Sequence, residues 1–521
     1  MLPPPPPLRP ESWLQLRPEQ HFINLKHMKT HGCRVQKQAY PKSLSFGKDL
    51  LLKLVFLLVT LIAVTAAVKF TEQALCLIEL LARTESGLMG LTLGRMFFFG
   101  TMLITAWRCI LFLRYRPLPV CADENLPHCT IVVPAYNEGS QVLLTLRSLA
   151  ASDYPSAKLQ IIAVDDGSAD DTWHYIAAAA RELGGRLKTI RFPKNLGKRH
   201  ALYAGFRQGA GTILVTVDSD SIVEPQTIRR LVGPFAVDAR IGAIAGNVRV
   251  LNHDDGIIPK MLDVIFYLSF DFIRAGQSMV KTVMCTPGAL SAYRADAVET
   301  ILPRWLDQKF CGRPSNIGED RAITNMVLQQ GYHVLFQKDA MVYTAVPAHY
   351  RNLCMMFLRW ARSNVRESLM MAQFAFRRFR PDSMLGARIN LAYDLLCLVR
   401  SPFIILSTLA LLAWQPVLFG SMILFGVLVS SSVSVALYAW KYRTGKALLG
   451  YVYGFFWFFA LSWIPLYALV TVHRSGWLTR EPATGAQPTP YPRDKKKVRM
   501  RLTIVRLLAF FIAFALYHLD A

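Results

Sequence analysis

Acidic residues are scarce in this 521-residue chain: 35 Asp and Glu stand against 59 Lys and Arg, a formal net charge of +24 at pH 7. That imbalance suits either a nucleic-acid partner or the loops of a membrane protein beside anionic lipid. The basic-aromatic interleaving that reads single-stranded nucleic acid is missing, so no nucleic-acid partner is expected. Paired cysteines are missing too. The nine cysteines are scattered with no C-x-x-C spacing, which argues against a zinc site or a disulfide framework and fits a reducing cytosol. A cleavable leader is not expected either, because the chain opens on Pro3 to Pro7 and its first apolar run lies well inside. What is abundant is apolar residue, 53% of the chain, with a mean hydropathy of +0.28. The membrane reading of the charge therefore takes precedence.

Residues 1–46 are Pro-rich, basic and aperiodic, and read as a disordered cytosolic tail. Apolar runs at 50–68 and about 88–113 predict two spans that return the chain to the cytosol, and further spans are expected near 389–413, 417–440, 448–472 and 502–518. The basic tract 491–501 should be cytosolic, so one of the later segments is not a full crossing. The candidate is 448–472, which holds Pro465; the segment carrying Asp394 and Arg400 is the other. Between the two apolar groups, β-rich runs at 130–133, 159–164, 189–192, 213–217 and 241–250 alternate with helical stretches at 141–150 and 171–183. Alternation of this kind predicts a parallel-type α/β sheet, with ligands beyond the carboxyl ends of the strands.

Polar motifs sit at those strand ends. The run Thr130 to Glu138 leaves an apolar strand at Pro134 and offers Ala135, Tyr136 and Glu138 to a nucleotide base. Val164-Asp165-Asp166-Gly167-Ser168 delivers carboxylates suited to uracil or ribose, though Asp-Gly-Ser is equally turn and cap chemistry. Gly197-Lys198-Arg199 sets two bases after a glycine, as a diphosphate requires. Asp218-Ser219-Asp220 places two carboxylates at i and i+2, where a hard cation, Mn2+ or Mg2+, can bridge to phosphate oxygens; the bland alternative is a solvated turn. Pro287 and Gly288 punctuate a tight loop within 285–294 that either shapes an acceptor pocket or is a structural turn.

Gly318-Glu319-Asp320-Arg321 offers Asp320 as a base for an acceptor hydroxyl, with Arg321 to orient or balance it; an acidic helix start reads the same way. Arg359-Trp360 can reach a phosphate and stack on a sugar, or belong to a basic interfacial helix. Trp477, Thr479 and Arg480 can close over a nucleotide, or anchor at the interface.

Together and in this order, the motifs at 164–168, 197–199, 218–220, 318–321 and 359–360 resemble the processive family 2 glycosyltransferases of the membrane, above all hyaluronan synthases and nodulation-type chitin-oligosaccharide synthases. The resemblance implies an α/β GT-A (nucleotide-diphospho-sugar transferase) domain inserted between N- and C-terminal transmembrane helices. Its boundaries would be two spans in 47–116, the GT-A domain in 117–347, amphipathic interfacial helices in 348–386, and a C-terminal membrane region in 387–521 with a gating loop at 473–486. It implies that Asp166 binds the nucleoside, Asp218 and Asp220 the donor and metal, and Trp360 the acceptor, while Asp320 is the base and Trp477 to Arg480 gate the donor.

The implied partners are a UDP-sugar donor, a growing glycan acceptor and the lipid bilayer of a plasma or inner membrane, with the catalytic domain cytosolic. The segments 317–325 and 274–278 look like hyaluronan synthases and 359–363 like the chitin-oligosaccharide type. Both use UDP-N-acetylglucosamine, which is the expected donor. One position departs from the family pattern Gln-x-x-Arg-Trp: Met356 stands where Gln is expected and supplies no amide hydrogen bonds. Two other functions fit less well. Enzymes that load one sugar onto a lipid phosphate usually lack the Arg-Trp segment and the gating loop, and a non-catalytic scaffold would not need Asp166, Asp218, Asp220 and Asp320 intact.

Overall fold

The computed structural model describes residues 46–474. The tail to residue 45, Trp477, Thr479, Arg480 and the rest of their loop, the basic tract 491–501 and the span at 502–518 lie outside the described residues.

Helices α1 (Phe46–Lys69), α2 (Thr71–Ala82) and α3 (Glu85–Arg114) come first. Strands and helices then alternate: β1 (Cys129–Ala135), α4 (Gln141–Ala150), β2 (Leu159–Asp165), α5 (Thr172–Leu183), β3 (Leu187–Arg191), α6 (Lys198–Gln208) and β4 (Ile213–Thr216). Next come β5 (Ser221–Val223), α7 (Thr227–Val232), α8 (Pro234–Val237), β6 (Ile241–Val250) and α9 (Ile257–Phe266), which runs through a π-helical stretch, Tyr267–Phe272, into α10 (Ile273–Met279). The α/β region closes with β7 (Ser291–Arg294), α11 (Ala295–Leu306), the hairpin β8 (Lys309–Phe310) and β9 (Arg313–Pro314), α12 (Glu319–Gln329) and β10 (His333–Thr344). Helices α13 (Tyr350–Ala375), α14 (Leu385–Trp414), α15 (Pro416–Tyr442), α16 (Leu449–Phe456) and α17 (Trp463–Val470) follow, with a second π-helical stretch at Trp457–Leu461.

The sheet has eight strands in the order β3-β2-β1-β4-β7-β6-β10-β5. Both of its faces are buried, which explains the unbroken apolar runs of its strands. Ile131, Val133, Ile161, Ala163 and Val215 face Val142, Leu146 and Ile176 of α4 and α5. The alternate residues Val132, Ile162, Val164 and Leu214 face Phe206, Trp305 and Val327 of α6, α11 and α12. Each such fully buried aliphatic contributes roughly 1.5–3 kcal/mol.

The parallel-type sheet expected from the alternation is corrected here to a mixed sheet. β1, β2, β3 and β4 are parallel, and so are β6 and β10, but β7 runs antiparallel between β4 and β6, and β5 antiparallel to β10. The cause is local: the Pro287-Gly288 turn sends a four-residue strand back into the sheet where only a loop was expected.

By length and composition, α3, α14 and α15 can each cross a membrane, and the count reaches five if each of two bent pairs is one span. The segment singled out by crossing parity is one of these pairs: its two parts, Gly445–Leu461 and Trp463–Val470, meet at 43°. The other suspect, α14, is one continuous helix. Its charges have protein partners, as polar groups in an apolar helix require. Arg400 Nη1 donates to Thr101 Oγ1 of α3 (2.9 Å) and Asp394 pairs with Arg321 of α12 (2.6 Å).

Candidate active site

Parallel register brings the strand ends level. Ala135, the last residue of β1, stands opposite Asp165 of β2, and Val132 opposite Thr216 of β4, so Tyr136, Asp166 and Asp218 emerge along one rim. A cavity of about 980 Å³ opens there. Ala135, Tyr136, Glu138, Asp166, Lys198, Asp218 and Asp220 line its strand side. Asp320, Arg321, Met356, Arg359 and Trp360 line its helix side. All of these expected site residues meet in one space, and Arg199 is the exception among the described ones.

The rim is tightly hydrogen bonded. Glu138 Oε1 accepts from Ser219 Oγ at 2.7 Å, tying the first motif to the Asp218 loop. Asp166 accepts the backbone N–H of Leu196 at 2.8 Å and of Gly197 at 2.9 Å, so it also shapes the loop ahead of Lys198. Burial raises its pKa, against the pull of those two N–H groups. Gly167 has a φ of 69°, and a Cβ there would strike the backbone at Lys194 and Asn195, so the turn after Asp166 needs glycine.

Lys198 Nζ lies 2.5 Å from Asp218 Oδ1 and 3.2 Å from Glu319 Oε1. Burial opposes its charge, but Asp218, Glu319 and Asp320 outweigh it and push the pKa up. Arg199, read beside Lys198 as a second diphosphate cation, does not reach the cavity. It is 4% exposed and donates to Trp305 O at 2.6 Å and Gln308 Oε1 at 2.8 Å. Adjacent residues on a helix do not share a face, so only one of the pair can point at the rim.

Asp218 and Asp220 are the two carboxylates on this rim that could be offered to a hard cation. Asp220 Oδ1 accepts from Ser221 Oγ (3.3 Å) and Thr344 Oγ1 (3.2 Å), which orients its carboxylate. Among the described residues no group of three or more His, Cys, Asp or Glu could hold a metal. Two carboxylates are nevertheless what Mg2+-like ions take from a protein when donor phosphates and water complete the shell.

On the helix side, Gly318 caps α12 at φ 73°, and a Cβ there would collide with Ser363 of α13. Glu319 and Asp320 follow as neighbours with opposite shifts. Burial works against the Glu319 carboxylate, but Lys198 and Arg359 hold its pKa down. Burial and then Glu319 push the pKa of Asp320 up. The Cys285 thiol donates to Asp320 Oδ2 (3.5 Å), and Arg321 N–H to Oδ1 (2.8 Å). A buried carboxyl with a raised pKa, within a cavity, is suited to taking a proton.

Arg321 is tied to the protein: its terminal nitrogens donate to Asn364 Oδ1 (2.7 Å), Ser368 Oγ (2.9 Å) and Asp394 Oδ2 (2.6 Å). The Trp360 ring stands near Phe357, Phe266 and Phe270, with centroids 5.7, 6.2 and 6.4 Å away. Tyr453 and Trp457, from the bent pair of apolar helices at 445–470, line the same side. Glu319, Cys285 and Asp394 have site contacts that no sequence argument assigned. Asp394 carried a signal, since an ionisable residue inside an apolar helix implies a partner or a function.

A family model described as glycosyltransferase like family 2 matches residues 127–363. The chain is 32% identical over 375 residues to an N-acetylglucosaminyltransferase of Mesorhizobium japonicum, covering 71% of this chain and 85% of that protein. It is 31% identical over 405 residues to an N-acetylglucosaminyltransferase of Rhizobium meliloti, covering 75% and 92%. Among solved structures, a mannosyltransferase from Pyrobaculum calidifontis in complex with GDP-Man and Mn2+ aligns with a TM-score of 0.51 at 23% identity, over 70% of this chain and 96% of that one. That last likeness is one of fold.

Proposed function

The chain belongs to the glycosyltransferase-like family 2 and is a glycosyltransferase with a GT-A-like mixed sheet, and from that premise we propose that it transfers N-acetylglucosamine from UDP-N-acetylglucosamine, with inversion, to the end of a growing polysaccharide. The observation that carries this reading is the meeting of Asp218, Asp220, Asp320 and Trp360 in one cavity. The sugar follows from the relatives, both N-acetylglucosaminyltransferases.

In this reading Asp166 holds the nucleoside and Lys198 the diphosphate. Asp218 and Asp220 hold a divalent cation that, when bound, neutralises charge on the leaving diphosphate. Trp360 stacks on the acceptor sugar. Asp320 takes the acceptor hydroxyl proton as that oxygen bonds to the anomeric carbon, the carbon–phosphate oxygen bond breaks and UDP departs. The raised pKa of Asp320 makes it a stronger base than a solvent-exposed carboxylate. The Trp360, Phe357, Tyr453 and Trp457 side of the cavity leads to the bent membrane segment and suits a chain elongated beside the bilayer, with the α/β region on the cytosolic face of a plasma or inner membrane.

The test is to incubate protein reconstituted in lipid with single UDP-sugars and Mn2+, reading UDP release and product mass. UDP release with UDP-N-acetylglucosamine and a ladder of N-acetylhexosamine masses is expected. A single-sugar glycolipid, or turnover of a different UDP-sugar alone, would overturn the reading.

A further inference from the structure

One corner of the cavity holds a residue to which the reading above gives no role. Arg274, on α10, lines the cavity and is 8% exposed. Its guanidinium carbon lies 4.1 Å from the centroid of the Phe270 ring. Phe270 is in turn a neighbour of Trp360, so Arg274 belongs to the acceptor side. Its Nη1 is buried and has no hydrogen-bond partner. Among the described residues, no other arginine lining this cavity has a terminal nitrogen in that state. The contrast with Arg321 is sharp, since both terminal nitrogens of Arg321 donate to protein oxygens. A desolvated guanidinium nitrogen with no acceptor is costly, and a site that keeps one implies an oxygen supplied from outside the chain.

Gln277, Cys285 and Asp320 are its polar neighbours in this corner. Gln277, one turn on, accepts the Met284 N–H at its carbonyl oxygen (3.2 Å), and its amide NH2 is a further donor. The Cys285 sulfur pairs with the Arg274 guanidinium, and its thiol is directed to Asp320. The buried Nη1–H still has no oxygen of the chain to donate to. It needs an accepting group, and a planar guanidinium pairs best with a planar oxygen.

We propose that Arg274 is an acceptor-positioning residue: its Nη1–H binds an acyl oxygen, of an amide or a carboxylate, on the sugar held at Trp360, and so sets the attacking hydroxyl against Asp320. This rests on the reading of the cavity as an acceptor site. It adds a selection rule, that acceptors bearing an acyl group are favoured over plain hydroxylated ones.

The test uses lipid-reconstituted full-length protein, Mn2+ and UDP-N-acetylglucosamine with three acceptors. They are chitotetraose, cellotetraose (a hydroxyl in place of each acetamido group) and a glucuronate-ended oligosaccharide. The wild type should favour an acyl-bearing acceptor over cellotetraose in kcat/KM by about tenfold or more, the worth of one charge-assisted hydrogen bond. Arg274→Gln should bring that ratio to about one while leaving the donor KM within about twofold, and Arg274→Lys should keep part of it. Preference for chitotetraose identifies the amide as the source, and preference for the glucuronate end the carboxylate. An Arg274→Gln variant that loses activity equally on all acceptors, or loses none, overturns the assignment even if transfer itself is sound. A wild type that transfers to no acceptor takes down the proposed function as well.

Discussion

The strand side and the helix side of the cavity are built on opposite plans. On the strand side, short motifs at the ends of β1, β2 and β4 arrive together because parallel register levels them. On the helix side, the neighbours come from α10, α12, α13 and α14, and only tertiary packing unites them. The difference is also electrostatic. Lys198 draws Asp218 and Glu319 to itself, whereas Asp320 sits beside a thiol and a backbone N–H and holds its proton more strongly. A strand rim is suited to gripping a charged diphosphate, and a buried helix start to moving one proton.

Separating these two tasks is the most direct challenge to the comparison. Asp320→Asn should lower kcat by about 10²–10⁴-fold, the usual worth of a general base, while UDP affinity with Mn2+ stays within about twofold. Loss of UDP affinity in that variant would merge the two sides. The converse is Asp218→Ala or Asp220→Ala, which should remove Mn2+-dependent UDP binding, read by calorimetry. Because magnesium-like ions need few protein ligands, losing one of two carboxylates should be felt at once. A smaller effect is expected at Gly318, where φ of 73° and the approach of Ser363 leave no room for a Cβ. Gly318→Ala should cost about 1–3 kcal/mol, seen as earlier thermal unfolding.

The smallest and sharpest probe is pH. Burial, and after it the Glu319 carboxylate, raises the pKa of Asp320. The base form exists above that pKa and disappears as pH falls through it, so the acid limb of kcat/KM should lie above the ordinary carboxylate range. Glu319→Gln removes the negative neighbour and should move that limb to lower pH. A limb that stays in place would deny Glu319 any hold on the base.

Legibility in the sequence followed the same division. The run at 241–250 coincides with β6 because all ten of its residues are buried. Helix α4 is likewise found at the expected residues, since its apolar spacing matches its buried face. Lys198, Asp218 and Asp220 could be read from strand context because each follows a strand or opens a helix at a fixed offset. Strand β7 could not, as four residues after a Pro-Gly turn carry no periodicity. Nor could the tie between Arg321 and Asp394, separated by 73 residues and set by how α14 packs. Asp394 looked like a weakness in a span, yet it holds the arginine next to the candidate base. Arg274 shows the same limit from the other side: a family-like run named it, but only its burial beside Phe270 marks the nitrogen left without an acceptor.

The ammonium of Lys198 touches one carboxylate from each wall, Asp218 and Glu319. In the proposed function, a diphosphate that attracts this ammonium would loosen its hold on Glu319, whose full negative charge would then be felt by the adjacent side chain. On the proposed reading, loading the nucleotide would sharpen the appetite of Asp320 for a proton, and chemistry would be held back while the pocket is empty. Profiles of kcat, which report the loaded enzyme, should then show a more alkaline acid limb than profiles of kcat/KM; coincident limbs would mean that the two walls act independently.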